Sequence, residues 1–148
     1  MTDTLWLTNA RLITPHGIVE GTVHVADGRI VAIRRRPPRD ARTISLRGRY
    51  LAPGFIDLHV WGDPARVSRV EVAHGTTAFL SAIGPEPPDA LVQKLAVLRV
   101  ALNVQRLTFN GARCLGAHLE GPFLNLRRAG ALPTRGMRRP TSAERRTG

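Results

Sequence analysis

The apolar positions change period along the chain. Up to about residue 50 they come in short alternating runs, the signature of half-buried strands. Leu5-Trp6-Leu7 and Arg11-Leu12-Ile13 flank a polar Thr8-Asn9-Ala10. Pro15-His16-Gly17 has turn composition. Thr22 to Ala26 alternates, Asp27-Gly28 suits a tight hairpin turn, and Arg29 to Ile33 returns. These elements predict a small antiparallel sheet, followed by an exposed, Pro-broken loop from Arg34 to Asp40. His16 and His24 read as surface residues, because no second ligand lies near either at a useful spacing.

Beyond residue 50, strand-length apolar runs alternate with helical spacing. Phe55 to Val60 predicts a strand, with Ile56, Leu58 and Val60 on one face and Asp57, His59 and Trp61 on the other. Asp63 to His74 reads as a short helix or turn-rich connection, with His74 at the helix end. Gly75 to Leu80 is a second strand. Asp89 is positioned as an N-cap, and Leu91, Leu95, Leu98 and Leu102 form one helical stripe. Asn103 to Arg113 reads as a polar connection, and Cys114 to Leu119 as a third strand. Strand, helix, strand, helix, strand is the order of parallel βα units. After Phe123 the periodicity is lost, until Thr141-Ser-Ala-Glu144 shows capping-box spacing.

Composition changes this picture little. The 148 residues, 43% of them hydrophobic, suffice for a domain with a core. No apolar run approaches the roughly 18 residues of a membrane span, and the N-terminus shows no secretory pattern. The single cysteine, Cys114, excludes an internal disulfide and sits in an apolar run that suggests burial. A cytoplasmic location is the expectation. The net charge of +11 raises nucleic acid as a partner. Seven arginines lie between Arg34 and Arg49 and seven more between Arg127 and Arg146. No aromatic residue is interleaved with the second cluster, so specific nucleic-acid binding is set aside in favour of loose electrostatic attraction.

The chemistry concentrates in Leu115-Gly-Ala-His-Leu-Glu-Gly-Pro-Phe-Leu-Asn125. Residues two apart on a strand share a face, so His118 and Glu120 point the same way. At the end of an apolar strand they meet either water or a partner such as a metal ion. The whole string resembles the signature of N-acetylglucosamine-6-phosphate deacetylases, in the amidohydrolase superfamily. Pro53-Gly-Phe-Ile-Asp-Leu-His59 resembles the first barrel strand of amidohydrolases, His74-Gly-Thr-Thr77 their second, and Ala26-Asp-Gly-Arg-Ile30 the hairpin of their N-terminal segment.

The resemblance implies an α/β fold in two parts. Residues 1–50 would form half of a composite β-sandwich. Residues 51–148 would form the first strands and helices of a (β/α) barrel, incomplete because the chain covers only about the first third of the family fold. It also implies a divalent metal ion, zinc by preference, with Glu120 as a ligand. The first barrel strand commonly ends His-x-His, and here the second position is Trp61, whose indole only donates. His59 is therefore open as a ligand or a structural residue, and His118 and Trp61 line the site. A family His that contacts the sugar is matched by Leu132, leaving Ala131 to offer backbone contacts. Arg127 and Arg128 could meet a phosphate but read by default as solvated charge. Two further His ligands and a catalytic Asp are expected beyond residue 148, so no catalytic residue is assigned within the chain.

The implied reaction removes acetate from an amino-sugar phosphate, N-acetylglucosamine 6-phosphate, in a homo-oligomer if the fold is complete. A truncated form with little activity of its own is the expectation. Two alternatives stand beside it: an amidohydrolase acting on a cyclic amide, and a non-catalytic basic fragment that binds a partner chain or polyanion.

Overall fold

The computed structural model describes residues 4–107 and 111–146. The chain divides into two compact units, Met1–Pro53 and Gly54–Gly148.

In the first unit, β1 (Thr4–Thr14) and β2 (Gly17–Ala26) form a long antiparallel hairpin, and β3 (Arg29–Arg34) pairs with β2. The sequence reading places two short strands where β1 runs unbroken. Thr8-Asn9 is a bulge inside it: the register shifts between Leu7 and Ala10, and Asn9 takes φ 52°. Asn tolerates this left-handed conformation better than most residues, and its side-chain amide donates to Ser45 Oγ at 2.9 Å. The hairpin turn at Asp27-Gly28 has positive φ at both residues, 49° and 71°, as a two-residue turn of this hand requires.

The sheet is not purely antiparallel. Two short strands, β4 (Thr43–Ser45) and β5 (Tyr50–Leu51), pair with β1 in parallel. Their runs are too short to show a period. Ala10, Leu12 and Val23 form the buried centre, with Leu7, Val25, Leu46 and Leu51 packed around them. Trp6 is buried and its ring stacks on His24 at 4.1 Å between centroids. His24 Nε2 also pairs with Thr4 Oγ1 at 2.7 Å.

The second unit holds a three-stranded parallel sheet in the order β6 (Phe55–Val60), β7 (Thr76–Ile83), β8 (Arg113–Leu119). The helix α1 (Pro64–Ala73) connects β6 to β7, and α2 (Pro88–Leu107) connects β7 to β8. Asp63 caps α1 by accepting from Arg66 N at 2.8 Å, and His74 closes its C-terminus. Asp89 is not a cap: it lies in the first turn of α2, where its charge still suits the helix dipole. The helix also continues through Asn103–Leu107, which the sequence reading assigns to a connection. Polar residues there do not break a helix whose apolar stripe already anchors it. Residues 108–110 of that connection lie outside the described residues.

Phe79, in the central strand, is fully buried. Around it pack Val67 of α1, Ile83, Leu98 of α2, Ala112 and Cys114. Leu91, Leu95 and Leu102 complete the predicted stripe on the same core. No helix among the described residues is long and apolar enough to cross a membrane.

Candidate active site

Parallel strands deliver their C-terminal residues to one edge of a sheet. The chain uses that edge to join the two motifs. His59, near the end of β6, and Glu120, just past β8, belong to the two outer strands. His59 Nε2 lies 2.9 Å from Glu120 Oε2. Two local bonds hold the partners. Asp57 Oδ1 accepts from His59 N at 2.9 Å, and Glu120 N donates to Ile83 O of the central strand at 2.9 Å. The His118 ring lies 4.8 Å from that of His59, centroid to centroid. Trp61 meets His59 edge-on at 6.1 Å. The structure thus brings together Glu120, His59, His118 and Trp61.

The side chains of the pair are partly open, 43% for His59 and 29% for Glu120. Two donor atoms bound to one zinc ion at about 2.0–2.2 Å in a tetrahedral shell stand about 3.3–3.6 Å apart. The His59–Glu120 contact, at 2.9 Å, is a hydrogen bond and shorter than that spacing, so a shared ion would require the two atoms to part by about half an ångström. A catalytic zinc site takes three protein ligands and a water. Among the described residues no group of three or more His, Cys, Asp or Glu side chains is arranged to hold a metal ion. One imidazole and one carboxylate are zinc-ligand types but fall short of a three-ligand site.

The remaining predicted residues lie in the arm after β8. Asn125 caps a short turn, Leu126–Arg128, by accepting from Arg127 N at 3.0 Å. Ala131 is exposed, and Leu132 is half-buried in a turn where its amide donates to Ala129 O at 3.1 Å. Arg127 lines an open cavity of about 460 Å³ with Asn125, Arg138 and Arg139. Arg138 is occupied there: it lies over the Phe123 ring at 4.9 Å and pairs with Glu144 at 2.6 Å. Thr141 and Glu144 make the reciprocal bonds of a capping box, Thr141 N to Glu144 Oε2 at 2.8 Å and Glu144 N to Thr141 Oγ1 at 3.4 Å. With Arg138 beside it, the Glu144 carboxyl is held far below the usual carboxylate range.

One polar cluster has no counterpart in the sequence reading. Glu86, in the loop after β7, is buried. Lys94 of α2 and Arg135 of the arm both bind its carboxylate. The only signals were an acid set among three prolines and the one lysine of the chain.

No family model matches the chain. Two relatives carry the comparison. Dihydroorotase of Anaeromyxobacter dehalogenans is 38% identical over 116 residues, 68% of this chain and 27% of that protein. N-acetylglucosamine-6-phosphate deacetylase of Bacillus subtilis is 28% identical over 160 aligned residues, 97% of this chain and 40% of the relative. Among solved structures, the deacetylase of Thermotoga maritima superposes with a TM-score of 0.76 at 24% identity, over 95% of this chain and 39% of that one. The deacetylase of Mycobacterium smegmatis gives 0.69 at 26% identity, over 97% and 39%. The chain therefore spans well under half the length of these proteins.

Fold and motifs together place the resemblance in the amidohydrolase superfamily. Within it, the resemblance that runs over nearly the whole chain is to the N-terminal part of N-acetylglucosamine-6-phosphate deacetylases.

Proposed function

We propose that this chain is the N-terminal portion of a metal-dependent amidohydrolase that removes acetate from N-acetylglucosamine 6-phosphate, giving glucosamine 6-phosphate. The observation that carries this reading is the meeting of two motifs. Glu120 of His-Leu-Glu-Gly-Pro lies against His59 of Pro-Gly-Phe-Ile-Asp-Leu-His, at the strand ends where (β/α) barrels keep their active sites. In this reading residues 1–50 form half of a composite β-sandwich, and residues 51–148 the first βα units of the barrel.

Glu120 and His59 would hold two positions on a divalent ion, zinc by the imidazole and carboxylate chemistry of the donors. When bound, the ion supplies an activated water and polarises the acyl carbonyl. Asp57 holds the backbone at His59, and the Ile83 carbonyl holds the Glu120 amide, so both donors start from fixed strand ends. His118 and Trp61 wall the edge, and Ala131 and Leu132 meet the sugar. The resemblance matches the catalytic Asp and two further His ligands to no residue of this chain.

A second reading, hydrolysis of a cyclic amide, is favoured by the higher identity to a dihydroorotase. Acetate release from N-acetylglucosamine 6-phosphate, measured with Zn²⁺ beside ring opening of dihydroorotate on a longer homologue that carries the catalytic Asp and the further His ligands, separates the two. Acetate release alone supports the deacetylase reading, and ring opening alone the second. Salt-sensitive binding of this chain to a polyanion, with no metal uptake, would favour a non-catalytic basic fragment.

A further inference from the structure

Glu86 is a buried carboxylate to which the chemistry above gives no role. Its side chain is 4% exposed, while both of its cations reach it from the surface. Arg135 grips it in a fork: Nη2 donates to Oε2 at 2.8 Å and to Oε1 at 3.0 Å, and Nε donates to Oε2 at 3.1 Å. Lys94 Nζ donates to Oε1 from the opposite element, α2. Three segments distant in sequence therefore meet on one carboxylate: the loop after β7, the first half of α2, and the arm after β8.

The backbone follows the ions. Gly136, next to Arg135, lies so close to the Pro85–Glu86 backbone that a Cβ there would collide with it. Met137 is buried beside it. Arg138 N then donates to Pro122 O at 3.0 Å. Pro122 is two residues beyond Glu120, whose own amide is bonded to Ile83. A continuous path thus runs from the Glu86 carboxylate through Arg135 and Arg138 to the loop that carries Glu120.

We propose that Glu86 is a positioning residue: its carboxylate anchors the arm over residues 129–138, and with it the loop after Glu120, against the end of β7. A fork-shaped guanidinium fixes orientation as well as distance, which a single point charge does not. If the arm leaves, Glu86 keeps Lys94 of α2 but loses the three bonds from Arg135, so release of the arm costs the forked half of this ion cluster. The relevance of this anchor to substrate rests on the proposed contacts of Ala131 and Leu132; the anchoring itself does not.

Amide hydrogen exchange at pH 7 reads the arm directly, through Met137 and Arg138, whose amides donate to Thr134 O and Pro122 O. In Glu86→Gln both should exchange at least about tenfold faster, with Glu86→Asp in between. Arg135→Gln, which leaves the Lys94 bond in place, should also speed exchange at these amides, and the double variant should add little to Glu86→Gln, where the charge that Arg135 binds is already gone. Unchanged exchange in Glu86→Gln overturns the proposal. Equal acceleration throughout the second unit also overturns it, since the role would then be general stability. Addition of N-acetylglucosamine 6-phosphate should slow exchange at Ala131 and Leu132 in the parent chain and fail to do so in Glu86→Gln. If it slows nothing in the parent while Glu86→Gln still loosens the arm, Glu86 stands as the anchor and the sugar contacts of Ala131 and Leu132 are what fail.

Discussion

The indole of Trp61 covers Gly84: a Cβ built on the glycine would lie 2.7 Å from the Cη2 atom of the ring. The residue that stands where a second metal-binding imidazole is expected is thus seated on the end of the central strand. Gly84→Val should push the indole off this seat. Overpacking of this kind costs about 1–3 kcal/mol. The Trp61 indole N–H resonance, assigned with Trp61→Phe, should shift, while that of Trp6, in the other unit, should not.

The pairing of His59 with Glu120 makes a prediction that needs no substrate. Zn²⁺ binding, followed by competition with a chromogenic chelator, should weaken in both His59→Gln and Glu120→Gln. The loss should exceed about tenfold in each, since even outer partners of metal ligands are worth on the order of 10–100-fold. His118→Gln should weaken binding less. Equal affinity in all four proteins would remove the pair from any metal site.

Phe79 is the largest fully buried hydrophobic side chain of the second unit. Phe79→Ala should destabilise the protein by about 3–5 kcal/mol, from lost transfer energy and the cavity left behind. That is a large share of the roughly 5–15 kcal/mol available to a domain. Urea unfolding followed by circular dichroism measures it.

Acid should release the arm. The bond from Lys94 holds the Glu86 carboxyl below its ordinary value of 4.5; burial opposes this, and the Arg135 bond adds to it. A carboxylate depressed on folding stabilises the fold fully above its unfolded pKa. That stability is lost as pH falls through the lower, folded value. Stability should therefore be level from pH 7 to about 5 and fall below 4.5. In Glu86→Gln the fall should be shallower, and Glu144, depressed by Arg138 and Thr141, should account for part of what remains. Unfolding midpoints in urea between pH 7 and 2 test the slopes.

Particular residues show where sequence reading succeeds. Thr141 and Glu144 announced a capping box and make one, because both partners lie within a single turn. The Leu91, Leu95, Leu98, Leu102 stripe packs on the core because helical spacing alone puts the four on one face. The failures are equally specific. Asn9 read as a break and is a bulge, since only the neighbouring strands keep the chain extended there. The start of β2 is not legible in the sequence, because Gly17 to Gly21 does not alternate and leaves Ile18 and Val19 exposed.

By itself the sequence determined what local geometry controls: the alternating strands, the helical face of α2, the Asp27-Gly28 turn, and the His-Leu-Glu-Gly-Pro string with its family resemblance. Only the tertiary structure decided who meets whom. His59 and Glu120 are 61 residues apart, and Glu86 and Arg135 are 49 apart. β4 and β5 join β1 in parallel from runs too short to show a period. Periodicity tells a side chain which face to occupy. The partner across that face is chosen by strand order and by the cost of leaving a buried charge alone, and no stretch of a few residues contains either.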